Sequence, residues 1–283
     1  MNYKTEDAIS DFIKFALQED IGPGDYSSLA AIPALAKNTA QLIMKDSGII
    51  AGIELAEKIF SKVDTSLKTS FFKKDGDMVN KGDVIFKVEG SAQSILTAER
   101  LVLNCMQRMS GIATYTNQLV KLIEHHKTQL LDTRKTTPNF RIMEKWAVLI
   151  GGGQNHRFAL YDMIMLKDNH IDFAGGIAKA IGATHSYLKE HKLNLQIEVE
   201  TRNLDEVKQV VEEGGIDFIM LDNMSPILMK EAVAFINGRY KTEASGGITE
   251  LTIEAVAASG VDFISVGALT HSYKSLDMSL KAI

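Results

Sequence analysis

Arg134 and Lys135 stand side by side where an apolar run ends, in LLDTRKTTPNFR, residues 130–141. An arginine fork grips a carboxylate or phosphate through two parallel hydrogen bonds, and a lysine adds a compact charge. The plainer alternative is an exposed pair solvated in a loop. Lys167 follows four apolar residues in MIMLKDNHI, so it either reaches a carboxylate partner or faces a ligand. Glu200 ends LQIEVE and Asp222 ends DFIMLD. Two such acids suit Mg²⁺, which takes one or two carboxylates together with water and substrate phosphates. An internal ion pair with Lys167 or Lys135 would serve the same acids equally well. GGGQNHRF, residues 151–158, is neither a Walker loop nor a dinucleotide fingerprint. Its glycines allow close backbone approach and display His156 and Arg157, unless the stretch is only a flexible loop ending a helix. EASGGITE and ISVGALTHS each read as a strand end, a small-residue turn and a helix start, with Ser245, Gly246 and Gly247 in one and Gly267 in the other. Backbone N–H groups at such turns favour an anion, here a phosphate.

These residues act together only if strands carry them to one edge. The apolar runs QLLDT, MIMLKD, LQIEVE, DFIMLD, KTEASG and DFISVG recur after about residue 126, most of them separated by a helical segment. Alternating strands and helices imply parallel pairing through right-handed crossovers. Six strands are too few for an eight-unit barrel of roughly 250 residues, which predicts a smaller, incomplete one. A flat doubly wound sheet is the alternative. In both, ligands bind at the carboxyl ends of the strands, where Asp132, Arg134, Lys135, Lys167, Glu200, Asp222, Ser245 and Gly267 fall. Strand alternation puts Glu198 on the same face as Glu200. Upstream, Ile9, Phe12, Ile13 and Leu17 predict a helix over residues 1–20, broken by IGPGDYSS. Residues 36–95 read as short antiparallel strands around a helix near 52–63, and residues 92–124 as one long or broken helix.

Composition narrows the class. A length of 283 residues allows one large or two moderate domains. The formal net charge of −5 offers no global positive field for nucleic acid or an anionic membrane, so any anion site must be built locally. Cys105 is the only cysteine, which excludes an internal disulfide or a cysteine metal cluster and fits a reducing compartment. MNYKTEDAISDF lacks a signal-peptide core, and no run approaches the ~18 apolar residues of a membrane span. The expectation is a soluble, cytoplasmic protein.

LLDTRKTTPNFR, GGGQNHR, MLKDNHI, EVE, LDN, SGGI and VGALTHS, in this order, resemble the quinolinate phosphoribosyltransferase family, as do ALQEDIGPGD and AERLVLNCMQRMSGIAT upstream. The resemblance covers nearly the whole chain. It implies an N-terminal α/β sandwich over residues 1–112, capping the partner's active site, and a C-terminal incomplete α/β barrel of six or seven strands over 113–283, the last ten or so residues returning to the N-terminal domain. It further implies a homodimer with shared sites, or a larger homo-oligomer. The implied reaction joins quinolinate to phosphoribosyl pyrophosphate with loss of pyrophosphate and CO₂. Arg134, His156, Arg157 and Lys167 correspond to the quinolinate pocket, and Arg100 to an arginine supplied by the neighbouring subunit. Lys135, Glu200 and Asp222 correspond to the phosphoribosyl pyrophosphate and Mg²⁺ site, with Lys135, Lys167, Glu200 and Asp222 as the catalytic set. Ser245, Gly246, Gly247, Gly267 and His271 correspond to the 5-phosphate loops. Departures from the family pattern are Tyr26 and Ser27 in place of a threonine-serine pair, and Asn139 where glycine is common. One extra residue lies between Glu200 and Asp222. A related pyrophosphorylase-like group associated with molybdenum transport lacks the LKDNH lysine, so Lys167 argues against it. A lipoyl- or biotinyl-type carrier and an aldolase-like barrel with Lys167 as Schiff base are the competing classes.

Overall fold

The computed structural model describes residues 3–283, and the chain forms two compact units. One contains the described residues up to Asn117 together with Lys135–Gly152 and Ala268–Ile283. The other contains Gln118–Arg134 and Gly153–Gly267.

In the first unit the short alternating runs become β1 (Lys37–Met44), β2 (Gly48–Ile49), β3 (Lys68–Phe71), β4 (Met78–Val79) and β5 (Val84–Ser91). Ala40, Leu42 and Met44 of β1 point inward at every second position, as a half-buried strand requires. The helix Ile53–Val63 buries Ile53, Leu55, Ala56, Ile59 and Phe60, and the Phe60 ring meets Phe86 of β5 edge-on at 5.6 Å. Full burial of each of the larger of these side chains contributes ~1.5–3 kcal/mol. Asp75 caps this helix, accepting the Ile53 N–H at 2.9 Å. The expected N-terminal helix runs Glu6–Ile21, capped by Thr5; positions 1 and 2 of that expectation lie outside the described residues. IGPGDYSS does more than break it. Asp25 accepts the Ser28 N–H and starts a second short helix, Tyr26–Ala31. The stretch read as long or broken is one continuous helix, Ala92–Leu122.

All six apolar runs are strands of the second unit: β6 (Gln129–Leu131), β7 (Ile164–Leu166), β8 (Ile197–Thr201), β9 (Phe218–Asp222), β10 (Lys241–Ser245) and β11 (Phe263–Ser265). They pair in parallel in the order β6-β11-β10-β9-β8-β7. The order winds one way and sets the first strand beside the last. A doubly wound sheet would reverse direction midway, so the barrel reading stands and the flat alternative does not. The sheet opens between β6 and β7. There the backbone at Gln154 bridges to the free edge of β6, its N–H donating to Leu130 O at 2.8 Å while the Asp132 N–H donates to Gln154 O at 3.1 Å. The helices Leu204–Glu213 and Pro226–Ile236 bury Val207, Val210, Met229 and Ala232. The last strand, β12 (Met278–Ala282), belongs to the first unit, where it pairs antiparallel with β1 and sets Leu280 opposite Leu42. Among the described residues no helix is long and apolar enough to cross a membrane.

Candidate active site

Asp132 directly follows β6. It is wholly buried and accepts Asn155 Nδ2 at 2.6 Å and the His156 N–H at 2.9 Å. The acid in LLDTRK is a clamp on the Gly-rich segment. Arg134, two residues on, is partly buried in the same unit. Arg157 donates to Met163 O at 3.0 Å, and burial together with the charge of Arg134 pulls its pKa down. Two guanidinium groups are thus held within reach of each other's field.

His156 is fixed at both ring nitrogens. Nε2 lies 2.9 Å from Glu198 Oε2 and 3.3 Å from Glu243 Oε2, and Nδ1 accepts the Arg157 N–H at 2.7 Å. Glu198 and Glu243 are both fully buried, and the second oxygen of each has no hydrogen-bond partner among the described residues. Burial opposes a charged ring, but hydrogen bonds and charges from Glu198 and Glu243 outweigh it and push His156 up to about 10. Burial and the neighbouring Glu243 push Glu198 up to about 7. The cluster therefore holds its protons more tightly than separate groups would. The geometry is that of the Nε2–H tautomer, with Nδ1 turned to the Arg157 N–H and Nε2 facing the two carboxylates. Glu243 lies in KTEASG and drew no notice in the sequence; its only signal was an acid flanked by apolar and small residues inside a predicted strand.

Glu200 takes a different partner from Glu198, although both lie on β8. Its Oε2 is 3.6 Å from Lys167 Nζ. Burial raises the Glu200 pKa against the pull of Lys167, and the charge of Asp222 raises it further. Asp222 and Ser245 are register partners at the ends of β9 and β10. Asn223 joins these ends: its Nδ2 donates to Asp222 Oδ2 at 2.6 Å and its backbone N–H to Ser245 O at 2.9 Å. Asn223 adopts φ +54°, a conformation asparagine tolerates better than most residues. Its role was not read from LDN. Gly246 and Gly247 follow at φ +93° and +63°. A Cβ on Gly246 would run into the Asn223 side chain, whereas one on Gly247 would meet nothing within 4 Å.

Arg134, His156, Arg157, Lys167, Glu200, Asp222, Ser245, Gly246, Gly247 and Gly267 share the barrel unit, whereas Arg100, Lys135 and His271 belong to the other. Within that other unit Lys135 O accepts Thr270 Oγ1 at 2.8 Å, tying the loop after β6 to the short helix Ala268–His271. The Arg108 guanidinium, 3.3 Å from buried Glu144, also donates to Thr137 Oγ1 at 2.9 Å and steadies the same loop. Asn139 stands at φ +60°, the left-handed geometry that glycine or asparagine suits.

Residues 25–110 match the family model of the quinolinate phosphoribosyl transferase N-terminal domain, and residues 112–281 that of its C-terminal domain. The chain belongs to the quinolinate phosphoribosyltransferase family. It is 50% identical to the chloroplastic nicotinate-nucleotide pyrophosphorylase [carboxylating] of Arabidopsis thaliana, over 95% of this chain and 81% of that one. It is 43% identical to a probable nicotinate-nucleotide pyrophosphorylase [carboxylating] of Bacillus subtilis, over 93% of this chain and 89% of that one. The solved nicotinate-nucleotide pyrophosphorylase of Francisella tularensis superposes with a TM-score of 0.92 at 41% identity, covering 100% of this chain and 98% of that one. These quinolinate phosphoribosyltransferase relatives agree with the motifs read from the chain and leave the carrier and Schiff-base readings without support.

Proposed function

We propose that the protein transfers the phosphoribosyl group of phosphoribosyl pyrophosphate to quinolinate, releasing pyrophosphate and CO₂ and forming nicotinate mononucleotide for NAD biosynthesis. The observation that carries this reading is the Arg134–Arg157 pair. Burial and the charge of Arg134 lower the Arg157 pKa even with Glu198 and Asp162 acting on it, which favours a further anion beside the pair. Quinolinate, with two adjacent carboxylates, supplies two. Lys167 adds a third cation held ready by Glu200, and His156 stands in the wall of the pocket. The ring nitrogen of quinolinate attacks ribosyl C1 as the C1–O bond to pyrophosphate breaks. The positive charge of the resulting pyridinium then stabilises the electron pair left on the ring carbon when CO₂ departs, and a proton from solvent adds to that carbon to complete the product.

Glu200 and Asp222 fit Mg²⁺: both are hard oxygen donors, and the negative field of Asp222 on Glu200 favours a cation. Bound there, Mg²⁺ would neutralise charge on the pyrophosphate. The turns at Ser245, Gly246, Gly247 and Gly267 cradle the 5-phosphate; for Lys135 and His271 a part in that site rests on the family resemblance alone. We place Arg100 in the partner subunit's site within a homodimer, and the protein in the cytoplasm, whereas the Arabidopsis thaliana relative is named chloroplastic.

The test is direct. Protein mixed with quinolinate, phosphoribosyl pyrophosphate and Mg²⁺ should yield nicotinate mononucleotide, and excess chelator should abolish turnover. Nicotinate should not substitute, because a site for two carboxylates is left with unpaired cations when one is missing. Absence of product with quinolinate overturns the reading.

A further inference from the structure

The buried acids behind His156 do no work in the reaction as set out above. Glu198 and Glu243 come from different strands, β8 and β10, and converge on one nitrogen of one ring. Burying two carboxylates side by side is costly unless their geometry is used. The opposite nitrogen of the same ring accepts the Arg157 N–H, and Asp132 holds the His156 N–H and the Asn155 side chain. The backbone from 155 to 157 is therefore pinned from two sides, and Arg157 springs directly from it.

We propose that Glu198 and Glu243 are positioning residues: acting through the His156 ring, they fix the backbone that presents Arg157 to quinolinate. Both ring nitrogens are engaged within the chain, so the ring works by holding Arg157 and not by offering a nitrogen to the substrate. This deepens the quinolinate reading and rests on it.

Glu243→Gln keeps the shape and removes the charge. Its KM for quinolinate should rise at least tenfold, while its KM for phosphoribosyl pyrophosphate stays within twofold of wild type. Thermal melting confirms that the variant is folded, and Glu198→Gln carries the same expectation if Glu243→Gln does not fold. A quinolinate KM within twofold of wild type, or an equal rise for both substrates, overturns the proposal. Failure of the wild-type protein to convert quinolinate removes the parent reading instead, and the proposal with it.

Discussion

Burial and the charge of Arg134 disfavour a positive charge on Arg157 more than Glu198 and Asp162 favour it. The same features make it a good anion receptor, because an incoming carboxylate relieves the repulsion in a site where water screens little. Arg134→Ala and Lys167→Ala should each reduce kcat/KM for quinolinate by ~2–4 kcal/mol of transition-state stabilisation, roughly 30- to 1000-fold. Steady-state kinetics checks this, and values within threefold of wild type for both would remove them from the pocket. The His156 cluster makes a second prediction, on stability. The folded-state pKa of His156 rises to about 10 and that of Glu198 to about 7. Both shifts mean that the folded chain holds protons more tightly than the unfolded one. The histidine contribution is fully present below its unfolded value near 6.5 and is lost as pH rises through 10; the glutamate contribution is lost as pH rises from about 4.5 through 7. Stability should therefore fall from pH 7 to pH 10, by up to ~1.4 kcal/mol per pH unit for each proton released. Thermal melting across this window should show a shallower decline in Glu243→Gln than in wild type.

At the scale of elements, the strand ends decide what meets what. Gly246 has no room for a side chain, because a Cβ would collide with Asn223, the residue that links Asp222 to Ser245. Its φ of +93° also disfavours any L side chain. Gly246→Ala should weaken phosphoribosyl pyrophosphate binding at least tenfold while leaving the melting temperature within a few degrees, since the turn is local. Gly247→Ala, where a Cβ meets nothing, should be milder; isothermal titration of both variants checks the contrast. The same elements show what a sequence conveys. The six strands are legible because each is a short apolar run ended by a charge or a small-residue turn, a pattern local to the chain. The partners of their acids are not legible. Alternation puts Glu198 and Glu200 on one face, yet one faces His156 and Glu243 while the other meets Lys167. Those choices follow from the registers of three parallel strands and from crossovers tens of residues long, which no local pattern records. Asp132 illustrates the same limit: the sequence places it at a strand end, and only the structure shows it holding the His156 N–H and the Asn155 side chain.

The whole molecule carries a net charge of −5, yet the proposed reaction brings two polyanions together. Attraction by the overall field is therefore unavailable, and cations must be gathered at the site. Arg134, Arg157 and Lys167 come from the barrel unit itself. Arg100 does not. It is exposed on the long helix Ala92–Leu122, and among the described residues it has no hydrogen-bond or ion-pair partner. An arginine kept bare on a helix of the other unit suits a site completed across a two-fold axis, where the same surface serves both subunits. Mixing inactive Arg100→Ala with inactive Arg134→Ala subunits separates this from a self-contained site. If the site is shared, a heterodimer has one pocket carrying both lesions and one carrying neither. Statistical exchange should then restore about a quarter of wild-type activity. If each pocket draws on one subunit alone, every pocket keeps a lesion and exchange restores nothing. Activity that stays at baseline after exchange has been confirmed by mass spectrometry of tagged subunits would refute the shared site.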